Sequence, residues 1–181
     1  MRIQTNRLEL IALTREDLEL YLAGENRLES KFGLRETGRS VIPGIRWRVE
    51  RSILSAMEKT KGNDYLFITF WIVVTRDEKN IVAELGFKGM PDEGGTVEIG
   101  YGTMPATRNK GYMTEAVEAL SDWAATIPQV RFIKAETDRE NLASIRVLQK
   151  TGFSFLYDRG DMKWWQLPVK AGKTPRYNYA G

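Results

Sequence analysis

One stretch limits the possible folds of this chain more than any other: Arg108-Asn109-Lys110-Gly111-Tyr112-Met113, set between a strand pattern and a helix pattern. Before it runs Thr96-Val97-Glu98-Ile99-Gly100-Tyr101-Gly102-Thr103-Met104, rich in β-branched and aromatic residues. After it, Met113, Ala116, Val117, Leu120, Trp123 and Ile127 recur at three- and four-residue spacing, one apolar stripe of a helix, and Pro128 follows its end. A basic, glycine-containing turn at a helix N-terminus is a ready anion site. The first-turn N–H groups have no intrahelical partner, the helix dipole favours negative charge, and glycine lets the backbone come close. The turn reads as a pyrophosphate cradle.

Two absent residue types narrow the chemistry. The 181 residues include no Cys, which excludes disulfides, a thiolate nucleophile and a Cys-based metal site. They include no His, which removes the usual general base and excludes a Ser-His-Asp hydrolase. No metal is expected, and acid–base work falls to Asp, Glu, Tyr, Lys, Ser or water. With 42% apolar residues and a net charge of +3, the chain suits one globular domain with a real core. No run of Lys and Arg is dense enough for a nucleic-acid patch. No signal-peptide pattern opens the chain, and the apolar stretch Phe67 to Val74 is too short to span a bilayer, so the expectation is a cytoplasmic protein without a membrane partner.

The remaining patterns set the organisation. Leu8 to Leu13 reads as a strand, and Thr14-Arg15-Glu16-Asp17 as a capping box opening a short helix to about Leu22. Residues 24–44 carry glycines and charges and read as broken and loop-rich. Val49, Ile53 and Met57 support a helix over Ile45 to Lys59. Leu66 to Thr75 reads as a strand buried on both faces, Ile81 to Lys88 as its partner, and the strand at 96–104 completes a meander. Phe132 to Thr137 is a strand, Asn141 to Lys150 a helix stopped by Gly152, and Phe153 to Tyr157 with Met162 to Leu167 a last hairpin. The single domain is expected over 1–169, with a polar, mobile tail over 170–181 that includes Gly172 and Pro175.

The strand at 96–104 has two unlike faces. Val97, Ile99, Tyr101 and Thr103 look like core, whereas Glu98, Gly100, Gly102 and Met104 share the other side. Two glycines in mid-strand weaken a sheet unless something lies close against the backbone. Glu98 beside that gap is the best general-base candidate in a chain without His. The competing reading makes Glu98 a solvated residue and the glycines a bulge.

The combination shifts the balance toward the first. Glu98-Ile99-Gly100-Tyr101, then Arg108 to Ala116, then Asn141-Leu142-Ala143-Ser144 through Lys150-Thr151-Gly152-Phe153 resemble, in order and spacing, the GNAT acetyltransferase superfamily. The opening Thr5-Asn6-Arg7-Leu8-Glu9-Leu10 and Leu13 to Leu18 are similar to its ribosomal-protein N-terminal acetyltransferase branch. The resemblance runs from about residue 5 to 167 and is poor over 24–60. It implies an α+β fold with a mixed, mostly antiparallel central sheet of about six or seven strands, flanked by helices on both faces. It implies acetyl-CoA as cosubstrate, its pyrophosphate on Arg108, Asn109, Lys110, Gly111, Tyr112 and Met113. The pantetheine arm would lie along the strand as far as Thr103 and Met104, with Asn141 and Ser144 at the thioester end. Asn141 doubles as a helix N-cap. Two departures stand out: Met113 where a small residue is common, and Leu148 where many members carry a tyrosine general acid. Ser144 or a water is the substitute donor.

The implied reaction is direct attack of an amine on the thioester in a ternary complex, with Glu98 receiving the proton. The alternative is a non-catalytic acyl-CoA-binding sensor of the same fold. A dinucleotide enzyme fails for want of Gly-x-Gly-x-x-Gly and Gly-x₄-Gly-Lys-Ser/Thr. A nucleic-acid binder would need exposed stacking residues, yet Trp71 and Trp123 lie on apolar faces. Of Trp164 and Trp165 on the last strand, one is core and the other lines a groove or a homodimer contact. The expected acceptor is a protein N-terminus or a small-molecule amine, seated between residues 24–60 and the hairpin near Asp158 and Asp161.

Overall fold

The computed structural model describes residues 1–38, 40–41, 43–170, 174 and 176–180. Strands β1 (Arg2–Gln4) and β2 (Leu8–Ala12) lead into helix α1 (Arg15–Ala23), opened by the expected capping box: Thr14 and Asp17 bond each other's backbone N–H reciprocally. Helices α2 (Arg27–Phe32), α3 (Pro43–Arg48) and α4 (Leu54–Glu58) follow. A π-helical segment, Val49–Ile53, joins α3 to α4 without a break in the helical path. Val49 and Ile53, two of the three residues that marked this helix in sequence, are both buried. Among its described residues, the region read as loop over 24–44 holds α2 and the first residues of α3; the six residues of α2 leave too few turns for an apolar stripe to show.

A 3₁₀ segment (Gly62–Phe67) precedes β3 (Trp71–Thr75), so the strand expected from Leu66 starts five residues later. The order β3, β4 (Ile81–Phe87), β5 (Thr96–Thr103) is the antiparallel meander anticipated. Helix α5 (Tyr112–Ala124), β6 (Phe132–Asp138), α6 (Leu142–Lys150), β7 (Ser154–Arg159), β8 (Met162–Pro168) and β9 (Asn178–Ala180) complete the chain. The strands form one mostly antiparallel sheet in the order β7-β8-β6-β5-β4-β3-β2-β1-β9. Among the described residues nine strands stand where six or seven were expected. The two additions, β1 and β9, are three residues each, too short for alternation to register.

Helices cover both faces, as expected. On one, α5 and α6 pack over Leu8, Leu10, Trp71, Val73, Leu85 and Ile99; on the other, α1 to α4 pack over Ile11, Ile72, Val74 and Ile81. Both sides of β3 are thus in core, which explains its unbroken apolar run. Trp71 and Trp123 pack at a tilt within the first core with ring centroids 5.5 Å apart, and Trp165 is also buried. Trp164 instead stacks on Tyr157 at the hairpin surface.

The described part of the tail corrects the expectation of a mobile segment. β9 pairs antiparallel with β1, and Arg176 donates from its backbone N and its Nε to the buried Asp122 of α5. Gly172 and Pro175 lie outside the described residues. Among the described residues no helix is long and apolar enough to cross a membrane.

Candidate active site

The site begins where two parallel strands part. Among the described residues β5 pairs with β6 at Thr96, Val97 and Glu98 alone, and from Ile99 onward its β6-facing edge has no strand partner. Its other edge stays paired with β4 through Thr103. A run of backbone N–H and C=O groups is therefore exposed along β5 as far as the cradle, free to pair with an extended ligand. This parting opens the outer half of the face read as core, although Tyr101 still packs against that core. Val97 and Ile99 are buried, whereas Tyr101 and Thr103 line a cleft of about 730 Å³ together with Gly102 and Met104. The space above Gly102 is open, with no atom within 4 Å of where a Cβ would stand.

At the far end of that edge the chain makes the cradle. Thr107 Oγ1 donates to Val82 O at 2.8 Å and so anchors the 3₁₀ segment (Pro105–Thr107) against β4. Asn109 and Gly111 then adopt left-handed conformations, φ 63° and 76°. Glycine takes that region freely and asparagine more readily than most residues, and such turns aim successive N–H groups into one concavity. Arg108, Asn109, Lys110, Gly111, Tyr112 and Met113 all line the cleft. The Met113 side chain itself is buried in the α5 core, so what it offers the cleft is backbone.

Asn141 and Ser144 lie on the opposite wall. Asn141 caps α6, its Oδ1 accepting from Ser144 N at 3.0 Å. The serine hydroxyl meets the Tyr101 hydroxyl at 2.9 Å. Burial pushes the Tyr101 phenol up to about 12, against the opposing pull of the hydrogen bond to Ser144. Leu148 is fully buried and offers no donor.

Glu98 stands apart from these residues. It lies at the last β5–β6 pair and is not among the cleft-lining residues; its carboxylate contacts Lys88 Nζ, which also donates to Glu136 at 2.7 Å. Burial disfavours the Lys88 ammonium, but its hydrogen bonds to Glu136 and Glu98 outweigh that and raise its pKa above the ordinary value. The structure thus assembles every predicted cofactor residue and Ser144 around one cleft, and sets Glu98 at its base, outside the lining.

Several residues here were not singled out from sequence. Arg146 and Lys150 of α6 extend the basic wall. Glu84, opposite Gly102 in the β4–β5 register, lines the cleft and accepts from the Tyr21 hydroxyl at 2.7 Å. A carboxylate inside the apolar run Ile81 to Phe87 was the available signal. The cradle is buttressed from the β1–β2 connection: Arg7 Nη1 donates to Lys110 O at 3.0 Å, and Arg7 Nε to Glu115 Oε2 at 2.7 Å. Thr5 Oγ1 donates to the same Glu115 at 2.6 Å.

A sheet that parts beside a strand leading to a helix N-terminus suits an extended anionic ligand, and comparison with known proteins gives the family. Residues 7–154 match the family described as "Acetyltransferase (GNAT) domain". The chain is 38% identical over 120 residues to the uncharacterized N-acetyltransferase YjdG of Bacillus subtilis, covering 66% of this chain and 68% of that one. In fold it is similar to a ribosomal-protein-S5-alanine acetyltransferase from Vibrio fischeri, with a TM-score of 0.66 at 16% identity over 96% of this chain and 100% of the other. It is also similar to a spermidine N-acetyltransferase from Vibrio cholerae in complex with CoA and spermine, with a TM-score of 0.61 at 17% identity over 91% and 96%. The protein belongs to the GNAT acetyltransferase family, and it is an N-acetyltransferase.

Proposed function

We propose that this enzyme moves the acetyl group of acetyl-CoA to a primary amine by direct attack within a ternary complex. The observation that carries the reading is the unpaired edge of β5 from Ile99 to Thr103, which leads toward the left-handed turn at Asn109 and Gly111. Acetyl-CoA supplies an acyl group activated as a thioester and an anionic tail. The first-turn N–H groups of α5, with Arg108 and Lys110, suit its pyrophosphate. The β5 edge suits the amides of its arm, and the bare Gly102 leaves room for that arm.

The amine nitrogen attacks the thioester carbonyl, the C–S bond breaks, and the nitrogen gives up a proton. Glu98 receives that proton through a water, since its carboxylate is set back from the cleft and beside the Lys88 ammonium. Ser144 faces the sulfur from the N-terminus of α6. The acceptor is a protein N-terminus or a small-molecule amine, and the fold is shared by enzymes of both kinds. Glu84 adds negative charge to a wall otherwise dominated by cations, as a protonated amine approaching the cleft would need.

Acetyl transfer to a panel of N-terminal peptides and polyamines, followed by CoA thiol release, tests the reading. Glu98→Gln is expected to lower kcat by roughly 10²–10⁴-fold on the best acceptor. Full turnover in Glu98→Gln across the pH range would remove Glu98 as the base. No thiol release above hydrolysis with any amine would return the chain to the acyl-CoA sensor reading.

A further inference from the structure

Tyr101 stands where β5 passes from core to cleft. Its hydroxyl lies 2.9 Å from Ser144 Oγ and 3.4 Å from Ser144 O, and both residues line the cleft. The serine is held from behind, because its N–H is taken by Asn141 Oδ1. What stays open is the direction of its one hydroxyl hydrogen. A serine hydroxyl has one hydrogen and two lone pairs. If Ser144 donates to Tyr101, its hydrogen is used up inside the protein. If Tyr101 donates, the serine keeps its hydrogen for the cleft.

Two facts favour the second arrangement. A phenol is a stronger donor than an aliphatic hydroxyl. Its one hydrogen has two acceptors in reach on Ser144, and the hydroxyl oxygen at 2.9 Å is nearer than the carbonyl oxygen at 3.4 Å. We infer that Tyr101 is a positioning residue whose hydroxyl donates to Ser144 Oγ and turns the serine hydrogen into the cleft, toward the sulfur that leaves during acetyl transfer. The inference rests on the acetyltransferase reading above and adds to it the group that orients the serine. No proton need leave the pair. The C–S bonding electrons stay on sulfur, Ser144 Oγ–H donates a hydrogen bond to that developing charge, and the released thiolate is protonated by water. The amine's proton goes separately to the base.

A preorganised donor aimed at developing charge is worth far more in the transition state than in the ground state, so its loss appears in kcat and not in KM. The test is the steady-state kinetics of Tyr101→Phe, Ser144→Ala and the double variant, with melting recorded with and without acetyl-CoA. Tyr101→Phe deletes one oxygen, and its melting shift with acetyl-CoA should match that of the unaltered protein. Its kcat is expected to fall about 10- to 100-fold with the acetyl-CoA KM kept within about twofold. The double variant should be no slower than Ser144→Ala alone, because the tyrosine acts only through the serine. Unchanged kcat in Tyr101→Phe, a loss confined to KM, or losses that multiply in the double variant would each overturn the inference while leaving acetyl transfer intact. An unaltered enzyme that turns over no amine would sink the underlying reading, and this inference with it.

Discussion

A side chain at position 102 would stand in the cleft, since nothing occupies the space above Gly102 within 4 Å of an added Cβ. The backbone there is ordinary strand, paired with Glu84, and imposes no demand for glycine. Its bareness therefore serves what lies against it. Gly102→Val keeps a good strand former in a strand and should leave the melting temperature nearly unchanged. The acetyl-CoA KM should rise about tenfold or more, equivalent to ~1.4 kcal/mol of lost binding. A variant with unaltered KM would show that the arm does not run over this residue. Gly111 differs, because its φ of 76° is a conformational demand, and Asn109 makes the same demand two residues earlier. The sequence displays the first as a glycine and hides the second, since an asparagine in a polar turn has many other uses.

Helix α5 begins at the cradle and is tied there to the β1–β2 connection by Glu115, which accepts from Thr5 Oγ1, Arg7 N and Arg7 Nε. Burial works against the Glu115 carboxylate, but these hydrogen bonds outweigh it and hold its pKa below the ordinary 4.5. A carboxyl depressed in the folded state contributes stability above its unfolded value and loses it as pH falls through the folded one. Glu115→Gln should therefore cost about 1–2 kcal/mol at pH 7, discounted for the half-exposed Arg7. The gap to the unaltered protein should close as pH drops below 4.5. A gap independent of pH would mean that the contact is packing and not charge. Elements of this length were legible: α5 and α6 through their stripes, the meander through its apolar runs and the turns between them, α1 through its capping box. The opening Thr5-Asn6-Arg7 matched a family pattern with no visible reason, and the reason is a contact 108 residues away in the chain. Long-range ion pairs leave no local period to read. Tyr101 packs against the core, as its alternation predicts, and yet also lines the cleft. Alternation predicts which way a side chain points, but not that the neighbouring strand has departed.

At the scale of the whole molecule, one sheet carries both ends of the chain at its edge, with β9 laid against β1. Asp122, fully buried on α5, receives Arg176 and the Tyr179 hydroxyl from this returning segment. The tail thus secures the helix whose N-terminus forms the cradle. The composition of residues 170–181 suggested a loose end, because three strand residues and one aspartate seen from the far side of a helix leave little trace in sequence. The parting of β5 from β6 near the middle of the sheet is likewise a property of the assembled fold. It places an open strand edge, an anion turn and a capped helix around one cleft. The proposed acetyl transfer requires this cleft to hold acetyl-CoA by its cradle. Thermal melting with and without acetyl-CoA, on the unaltered protein and on an Arg108→Ala/Lys110→Ala double variant, tests it most directly. Acetyl-CoA at about 100 times its Kd should stabilise the unaltered protein by roughly 2.7 kcal/mol, and the double variant should lose most of that shift. No shift at millimolar acetyl-CoA, or an equal shift in both proteins, would contradict it.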